Sequence, residues 1–182
     1  MKIAAEALIT DLITRTQECL EKGKTFRDVS ETALNQKTDK TSWSALECLE
    51  HLNAYGRFYL PELSGRIKRA GSGNESVFKS GWLGNYFANS MLPKAKLNKM
   101  NTFKNMNPLN SRLDKNQVIN EFVYQQEELL RLLKSAQKVS LNKTRTSISI
   151  SKAIKLKLGD TFRFVIYHNQ RHLTQAERSL KN

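Results

Sequence analysis

Apolar residues recur every three or four positions in four long stretches of this chain, a spacing typical of helices with one buried face. In chain order these stretches cover residues 4–22, 44–71, 115–134 and 160–180. A helix with one apolar face is stable only when that face packs against another element. Four such helices therefore predict an all-α fold, a four-helix bundle whose crossover connections are long.

Residues that start or interrupt helices stand at the expected places in these stretches. Ser44 and Glu47 have the spacing of a capping box, in which each side chain accepts a hydrogen bond from the backbone N–H of the other residue. Asp114 and Asp160 are each predicted to cap the N-terminus of the helix that follows. Pro61 is predicted to kink or locally unwind the second helix, because proline lacks a backbone N–H.

The two long connections carry no helical period of their own. Residues 71–113 include several aromatic side chains, and a connection of this length is usually functional or partly structured. Residues 147–151 and 154–158 alternate polar and apolar side chains and could be extended. Since no tight turn joins these two runs, the sequence does not predict a hairpin there.

Composition is that of an ordinary globular protein. The 182 residues are predicted to form one domain, residues 1–182, and 39% of them are apolar and 26% charged. No apolar run has the length of a membrane span, and charged residues interrupt the N-terminal stretch, which therefore does not resemble a secretory signal. The two cysteines, Cys19 and Cys48, do not suggest a disulfide framework, so a cytoplasmic location is expected.

The net charge of +13 is concentrated in the two long connections. Residues 76–113 of the first connection and residues 136–159, which include the second, each contain six lysines or arginines and no acid: Lys79, Lys94, Lys96, Lys99, Lys104 and Arg112 in the first range, and Lys138, Lys143, Arg145, Lys152, Lys155 and Lys157 in the second. Such a surface attracts anions. A solvated lysine-rich surface accounts for the pattern more simply than a nucleic-acid site does, so nucleic acid is not the favoured partner.

The chain has three histidines, and all of them fall on the apolar faces of predicted helices. His168 and His172 are four residues apart, which places their rings on one helix face, about 6 Å apart along the axis. His51 lies in the apolar stripe of the second helix, and packed helices are close enough for its ring to meet the other two. Three buried imidazoles without a partner would leave polar nitrogens unpaired, whereas one divalent metal ion would satisfy them. The sequence therefore predicts a three-histidine metal site, in preference to three separately hydrogen-bonded core histidines.

The predicted ligand set has consequences for chemistry. Three neutral ligands leave the double charge of the ion undiminished, and such a site keeps open positions where bound water or thiol becomes more acidic. The set suits zinc, nickel, iron or cobalt, and the sequence does not distinguish among these metals.

Five further residues lie near the histidines on the predicted helices. Glu47 could orient an imidazole or act as a general base, although the capping box is its favoured role. Gln175 could hydrogen-bond a ligand or a neighbouring helix. Tyr55 and Tyr59 could line a substrate cavity, although aromatic core packing is favoured. Cys48 could be a fourth ligand, although a free buried cysteine is usually inert.

Two stretches of the chain resemble the DinB/YfiT-like family of metal-dependent proteins. They are WSALECLEHLNAY, residues 43–55, and LGDTFRFVIYHNQRHLTQAER, residues 158–178. The shared features are the tryptophan–serine start, the histidine of the E-H-L triplet and the ending H-x-x-R-H-x-x-Q. Helix order and chain length are similar too, so the resemblance spans nearly the whole chain.

The resemblance implies a four-helix bundle of the DinB/YfiT-like type, a three-histidine metal site and a homodimer. Some members of that family are S-transferases or isomerases that act with small-molecule thiols, and many have no assigned activity. A small-molecule thiol is therefore an implied partner, and the family name does not imply DNA chemistry.

Two classes of function remain open from the sequence. In the first, the chain is a metal-dependent enzyme that activates water, as a hydrolase, or a small-molecule thiol, as an S-transferase, with Glu47 or Gln175 assisting. In the second, it is a binding protein with a structural or vestigial metal, and its basic connections engage nucleic acid or another polyanion. A sensor that binds a ligand at the metal without turnover is a third alternative.

Overall fold

The computed structural model describes residues 1–73, 75–93 and 102–181 of the chain. Within these ranges the elements are β1 (Lys2–Ala4), α1 (Ala5–Thr25), α2 (Glu31–Asn35), α3 (Ala45–Arg69), β2 (Val77–Lys79), α4 (Trp82–Met91), α5 (Lys115–Ala136), β3 (Arg145–Ile148), β4 (Ser151–Lys157) and α6 (Leu158–Ser179). The prediction of a mostly helical chain is confirmed. Two small antiparallel sheets, β1–β2 and β3–β4, are added to the all-α fold that the periodicity predicts.

The starts of α3 and α5 are formed by the side chains that the sequence indicates. Ser44 Oγ accepts a hydrogen bond from Glu47 N at 3.2 Å, and Glu47 Oε2 accepts one from Ser44 N at 2.9 Å. Asp114 Oδ1 accepts a hydrogen bond from Gln117 N at 2.7 Å and so caps α5. Pro61 lies inside α3 and does not unwind it, because apolar side chains on both sides of the proline are packed in the core.

The prediction that Asp160 caps α6 is wrong. The helix begins at Leu158, and Lys157 occupies the N-cap position without a side-chain hydrogen bond. The first two N–H groups of the helix donate to the carbonyl oxygens of Thr144, at 2.9 Å, and Leu141, at 3.3 Å. The backbone of the preceding loop therefore caps α6. The carboxylate of Asp160 instead accepts hydrogen bonds from Ser80 and Arg163.

Strands β3 and β4 form an antiparallel hairpin that the sequence does not predict. The register pairs Ile148 with Ser151, so two residues form the turn. Side chains of α3 hold it in place: Tyr59 Oη accepts a hydrogen bond from Ser149 N at 3.2 Å, and Glu62 Oε1 accepts one from β3 at 2.7 Å. The turn depends on these tertiary contacts, which is why its own residues carry no turn signal.

The first long connection is structured in part, as its length and aromatic content indicate. Its strand β2 pairs with β1, and α4 packs against α6. The basic residues Lys94, Lys96 and Lys99 and the side chain of Lys152 lie outside the described residues. The other basic residues of the two connections are exposed, except for Lys157, which is half-buried.

Two apolar clusters fill the interior between the long helices, since α1 and α3 each pack against both α5 and α6. On α6, the members of the first cluster end at Tyr167 and those of the second begin at Leu173. His168 and His172 lie between these two residues, at the junction of the clusters. Among the described helices, none is both long and apolar enough to cross a membrane.

Candidate metal centre

The three histidines converge from two helices, His51 from α3 and His168 and His172 from α6. Their ring centroids are separated by 5.0, 4.6 and 4.6 Å. One ring nitrogen of each histidine lies within 4.8 Å of one in each of the others. Nε2 of His51 and Nε2 of His168 are 3.1 Å apart. In the described part of the chain, this is the one group of three such side chains close enough to share a metal ion.

The histidine cluster, defined as His51, His168 and His172, is buried, which favours neutral imidazoles. The three residues are 2%, 4% and 9% exposed. Burial lowers the pKa of His51 to about 4. Burial also lowers the pKa of His168 and of His172 well below the usual value, and neighbouring histidines and Arg171 lower both further. Neutral imidazole is the form that binds metal, so little competition from protons is expected near neutral pH.

Acceptors outside the cluster fix the proton position on two of the rings. Nδ1 of His51 donates to the carbonyl oxygen of Met106 at 2.7 Å. Nδ1 of His172 donates to Gln175 Oε1 at 2.9 Å. A neutral imidazole with its proton on Nδ1 has its lone pair on Nε2. Both rings therefore have Nε2 available as a ligand atom, with the outer partner that metal-binding histidines usually have.

Aromatic rings surround the cluster. The ring centroid of Trp43 is 4.6 Å from that of His51, and the ring of Tyr55 is 4.5 Å from that of His168. Phe164 stacks on His168 with 5.8 Å between centroids and 9° between planes. These rings exclude water from the histidines and strengthen electrostatic interactions among them.

Glu47 is buried next to the cluster but is engaged by structural hydrogen bonds. Its side chain is 3% exposed, and Oε2 accepts the capping-box hydrogen bond from Ser44. Oε1 accepts hydrogen bonds from Lys37 Nζ at 2.7 Å and from Asn110 N at 2.6 Å. The carboxylate therefore ties the start of α3 to the chain around residue 110.

Residues 104–110 connect that tie to the histidines. Met106 supplies the carbonyl that accepts from His51, and Asn107 Oδ1 accepts a hydrogen bond from Trp43 Nε1 at 3.1 Å. The segment is thus attached to α3 at Met106 and at Asn110, and Asn107 attaches it to Trp43, which precedes the helix. It determines the tautomer of one metal-ligand candidate and the position of one aromatic ring beside it.

The other candidate residues from the sequence, Tyr55, Tyr59 and Cys48, are increasingly buried in that order. Tyr55 is partly buried, and burial raises the pKa of its hydroxyl to about 12. Its ring stacks on that of Tyr59 at 6.2 Å, and Tyr59 is 1% exposed. Cys48 is fully buried in the second apolar cluster, and burial raises the pKa of its thiol. Tyr55 therefore contacts His51 and His168 directly, and Tyr59 lies deeper in the core and packs against Tyr55.

Beyond the geometry, the sequence as a whole matches a known family. The family model described as the DinB superfamily matches residues 15–176, a range that includes all three histidines. This chain belongs to the DinB superfamily. No curated protein and no solved structure matches it.

The donor set of this DinB protein fits a divalent transition metal. Two nitrogens at about 2.1 Å from one ion are about 3.1 Å apart when the angle at the ion is about 95°. The Nε2 atoms of His51 and His168 are separated by 3.1 Å. Two lone pairs at this distance repel each other, so the contact is stable only with a cation between the nitrogens or a proton on one of them. Imidazole ligands suit zinc, nickel or iron.

Three contributors to the DinB site are absent from the sequence-based list of site residues: Trp43, Met106 and Phe164. In the sequence, Trp43 stands out only as the tryptophan of the motif that resembles the family. Phe164 lies four residues before His168 on α6, so helical spacing could have indicated it. Met106 acts through its backbone carbonyl, which no side-chain pattern reveals.

Proposed function

We propose that this DinB superfamily protein binds one divalent metal ion through His51, His168 and His172 and acts as a metal-dependent enzyme. We further propose that its four long helices form a single-domain four-helix bundle of the DinB/YfiT-like type. The supporting observation is the pair of Nε2 atoms, of His51 and His168, that face each other at 3.1 Å in a buried site. A divalent ion with three neutral ligands supplies one kind of chemistry, a lowered pKa of the water or thiol that it binds.

The surroundings of the cluster favour a thiol over water as the nucleophile. Hydrolysis at a metal centre commonly relies on a general base that removes the proton of water. Glu47, the acidic candidate, already accepts hydrogen bonds from Ser44, Lys37 and Asn110. A free thiol has a pKa of about 8.5 and ionises far more readily than water, so it needs less help from a base. S-transfer from a small-molecule thiol is therefore the preferred reaction, and hydrolysis is the competing one.

Other side chains near the histidine cluster would bind the substrate, orient the imidazoles and limit the access of water. Tyr55 keeps its proton at neutral pH, as tyrosine ordinarily does, and burial raises its pKa further, to about 12, so its hydroxyl can donate a hydrogen bond to a substrate. Gln175 and the carbonyl of Met106 hold two imidazoles in the tautomer that leaves Nε2 free. Trp43 and Phe164 limit the access of water to the rings.

Metal analysis followed by a reaction screen tests the proposal. We expect about one equivalent of metal in the purified protein and its loss in His168→Gln. Thr174→Ala is the matched control, since that hydroxyl bonds the backbone of its own helix. The loaded protein is then incubated with alkyl electrophiles, with and without low-molecular-weight thiols, and products are identified by mass spectrometry.

Each result of the screen has a defined meaning. A thioether that needs thiol, metal and His168 supports S-transfer. A hydrolysed product that forms without thiol assigns the protein to the hydrolases instead. Full metal occupancy without turnover of either kind points to the binding-protein alternative, and protein without metal after loading with zinc, nickel or iron overturns the proposal.

A further inference from the structure

A surface concavity lies at the far end of α3 from the histidines. It has a volume of about 690 Å³ and is formed by the end of α3, the turn at residues 70–73 and the loop at residues 140–145. Since a helix rises about 1.5 Å per residue, Arg66 in this concavity is about 22 Å along α3 from His51. The two sites are therefore separate.

The concavity, hereafter the basic groove, is lined mainly by positive charge. Its charged lining residues are Arg66, Arg69, Lys143, Arg145 and Glu75. Arg66 forms an ion pair with Glu62 at 2.8 Å, whereas Arg69, Lys143 and Arg145 are exposed. Four cations less the carboxylates of Glu75 and Glu62 leave an excess of two positive charges.

Neutral hydrogen-bonding groups complete the lining. Ser72, Ser140 and Thr144 bring hydroxyl groups to the groove. Ser140 Oγ accepts a hydrogen bond from Lys143 N at 2.9 Å, which orders the loop and leaves the O–H as a donor. Gly73 has φ of +144°, a conformation that glycine adopts readily, and a Cβ at this position would meet nothing within 4 Å. A ligand oxygen can therefore approach the backbone of this turn closely.

We infer that the basic groove binds a small molecule that carries a phosphate group. Guanidinium groups match phosphate oxygens in geometry, and their hydrogen bonds to phosphate are strong because both partners are charged. A phosphate monoester carries about two negative charges at neutral pH, which equals the excess in the groove. The C-terminal carbonyl groups of α3 repel an anion, but the helix dipole is equivalent to only about half a negative charge at that end.

Size distinguishes a small molecule from a nucleic acid. The groove volume of about 690 Å³ falls within the usual range for small-molecule sites, about 300–1,000 Å³. A nucleic acid follows a long basic track with many phosphate contacts. Here the acid Glu75 lies in the groove itself, held by a hydrogen bond to Asn142 N at 2.7 Å, and interrupts any such track.

Titration of the whole protein with inorganic phosphate and with pyrophosphate tests the inference. Metal-free protein, prepared by dialysis, keeps the histidine site from contributing a metal–phosphate contact. We expect saturable binding by calorimetry and amide chemical-shift changes at Gly71, Ser72 and Thr144. Absence of saturable binding of both probes, or shifts confined to the histidine end of the molecule, would overturn it.

Two adjacent residues of α3 provide a matched pair of variants. Arg69 lines the groove, whereas Lys68 is an exposed neighbour that does not. Arg69→Gln should raise the dissociation constant for pyrophosphate about ten- to hundredfold, the usual cost of a lost charged hydrogen bond, and Lys68→Gln should leave it unchanged. If the two variants weakened pyrophosphate binding equally, the effect would be one of net charge alone. That result would refute a specific binding site in the groove. A short DNA duplex that binds the same amides more tightly than pyrophosphate would refute the small-molecule assignment.

Discussion

Helix α6 carries two buried polar clusters that satisfy their hydrogen-bonding groups in opposite ways. One is the histidine cluster. The other, the arginine cluster, consists of Asp160 and Arg163 with three polar side chains of the first long connection, Ser80, Asn85 and Asn89. Both clusters remove charged or polar groups from water. They differ in which groups face each other at the centre of the cluster.

In the arginine cluster, donors and acceptors face each other. Arg163 and Asp160 are 2% and 0% exposed and form an ion pair at 3.2 Å. Nη1 and Nη2 of Arg163 also donate to Ser80 Oγ at 3.1 Å, Asn85 Oδ1 at 3.2 Å and Asn89 Oδ1 at 3.0 Å. Of the three guanidinium nitrogens, Nε alone has no hydrogen-bond partner in the described part of the chain. Protein groups thus neutralise the charges of the cluster, and the cluster attaches α4 to α6.

In the histidine cluster, ring nitrogens of the same kind face each other. Protons on Nδ1 of His51 and His172 point outward to Met106 and Gln175, and the 3.1 Å contact inside joins two Nε2 atoms. This contact requires a cation between the two nitrogens or a proton on one of them. A buried polar cluster that has no protein counter-charge at its centre is therefore a candidate ion-binding site.

The largest expected effect comes from Arg163→Met. This change leaves the carboxylate of Asp160 buried without its cation, and breaking a buried ion pair in this way costs about 3–5 kcal/mol. Urea unfolding of the metal-free protein measures the loss. The double variant Arg163→Met with Asp160→Asn removes both charges and should recover part of it. A loss below about 1 kcal/mol for the single change would show that the arginine cluster is not a stabilising unit.

Metal bound by the histidine cluster should stabilise the folded protein, by an amount that grows with the logarithm of the free metal concentration. Zinc at a hundred times its dissociation constant should raise the free energy of unfolding by about 2.7 kcal/mol, since the ion binds the folded state. His168→Gln should abolish this gain while Arg163→Met retains it. Thermal unfolding with and without zinc gives the comparison, and an equal gain in the histidine variant would contradict the assignment of ligands.

Gly84→Ala probes the arginine cluster without changing a charge. A Cβ at this position would lie 2.5 Å from the side chain of Asp160, so α4 must move or the carboxylate must turn. Overpacking of this kind costs about 1–3 kcal/mol. Gly71→Ala is the matched control, because an added Cβ there meets nothing within 4 Å. Urea unfolding that finds equal stabilities for the two variants would refute the close contact.

Gln175→Ala removes the outer acceptor of His172 and leaves all three ligands in place. Loss of such a partner typically weakens metal binding about tenfold or more, because the ring loses its fixed orientation and tautomer. A competition titration with a chromophoric zinc chelator measures the affinity. Stability of the metal-free protein should change little, and unchanged zinc affinity would mean that the hydrogen bond does not orient the ligand.

The smallest effect is expected for Glu47→Gln. The substitution keeps the shape of the side chain but removes its charge from Lys37 and from the first turn of α3. The stability loss should be about 1 kcal/mol, and zinc affinity should fall a few-fold as residues 104–110 loosen. Lys37→Gln retains the hydrogen bonds of Glu47 to Ser44 and Asn110 and should affect zinc less. A larger effect of Lys37→Gln would place the coupling in the ion pair instead.

Local sequence patterns predict the four long helices, the capping box of α3 and the placement of His168 and His172 on one helix face. These features depend on neighbours within about four residues, so periodicity and capping residues report them directly. That His51 joins the pair also followed, since all three histidines lie on apolar faces that must be buried together.

The β3–β4 turn, the role of Asp160 and the hydrogen-bond partners of the histidines depend on tertiary contacts. Tyr59 holds the turn through Ser149, Asp160 meets Arg163 and Ser80, and His51 meets a backbone carbonyl at Met106. Most of these contacts join residues many positions apart, and several use backbone atoms that every residue possesses. Their formation depends on how the helices pack, which local sequence patterns do not indicate.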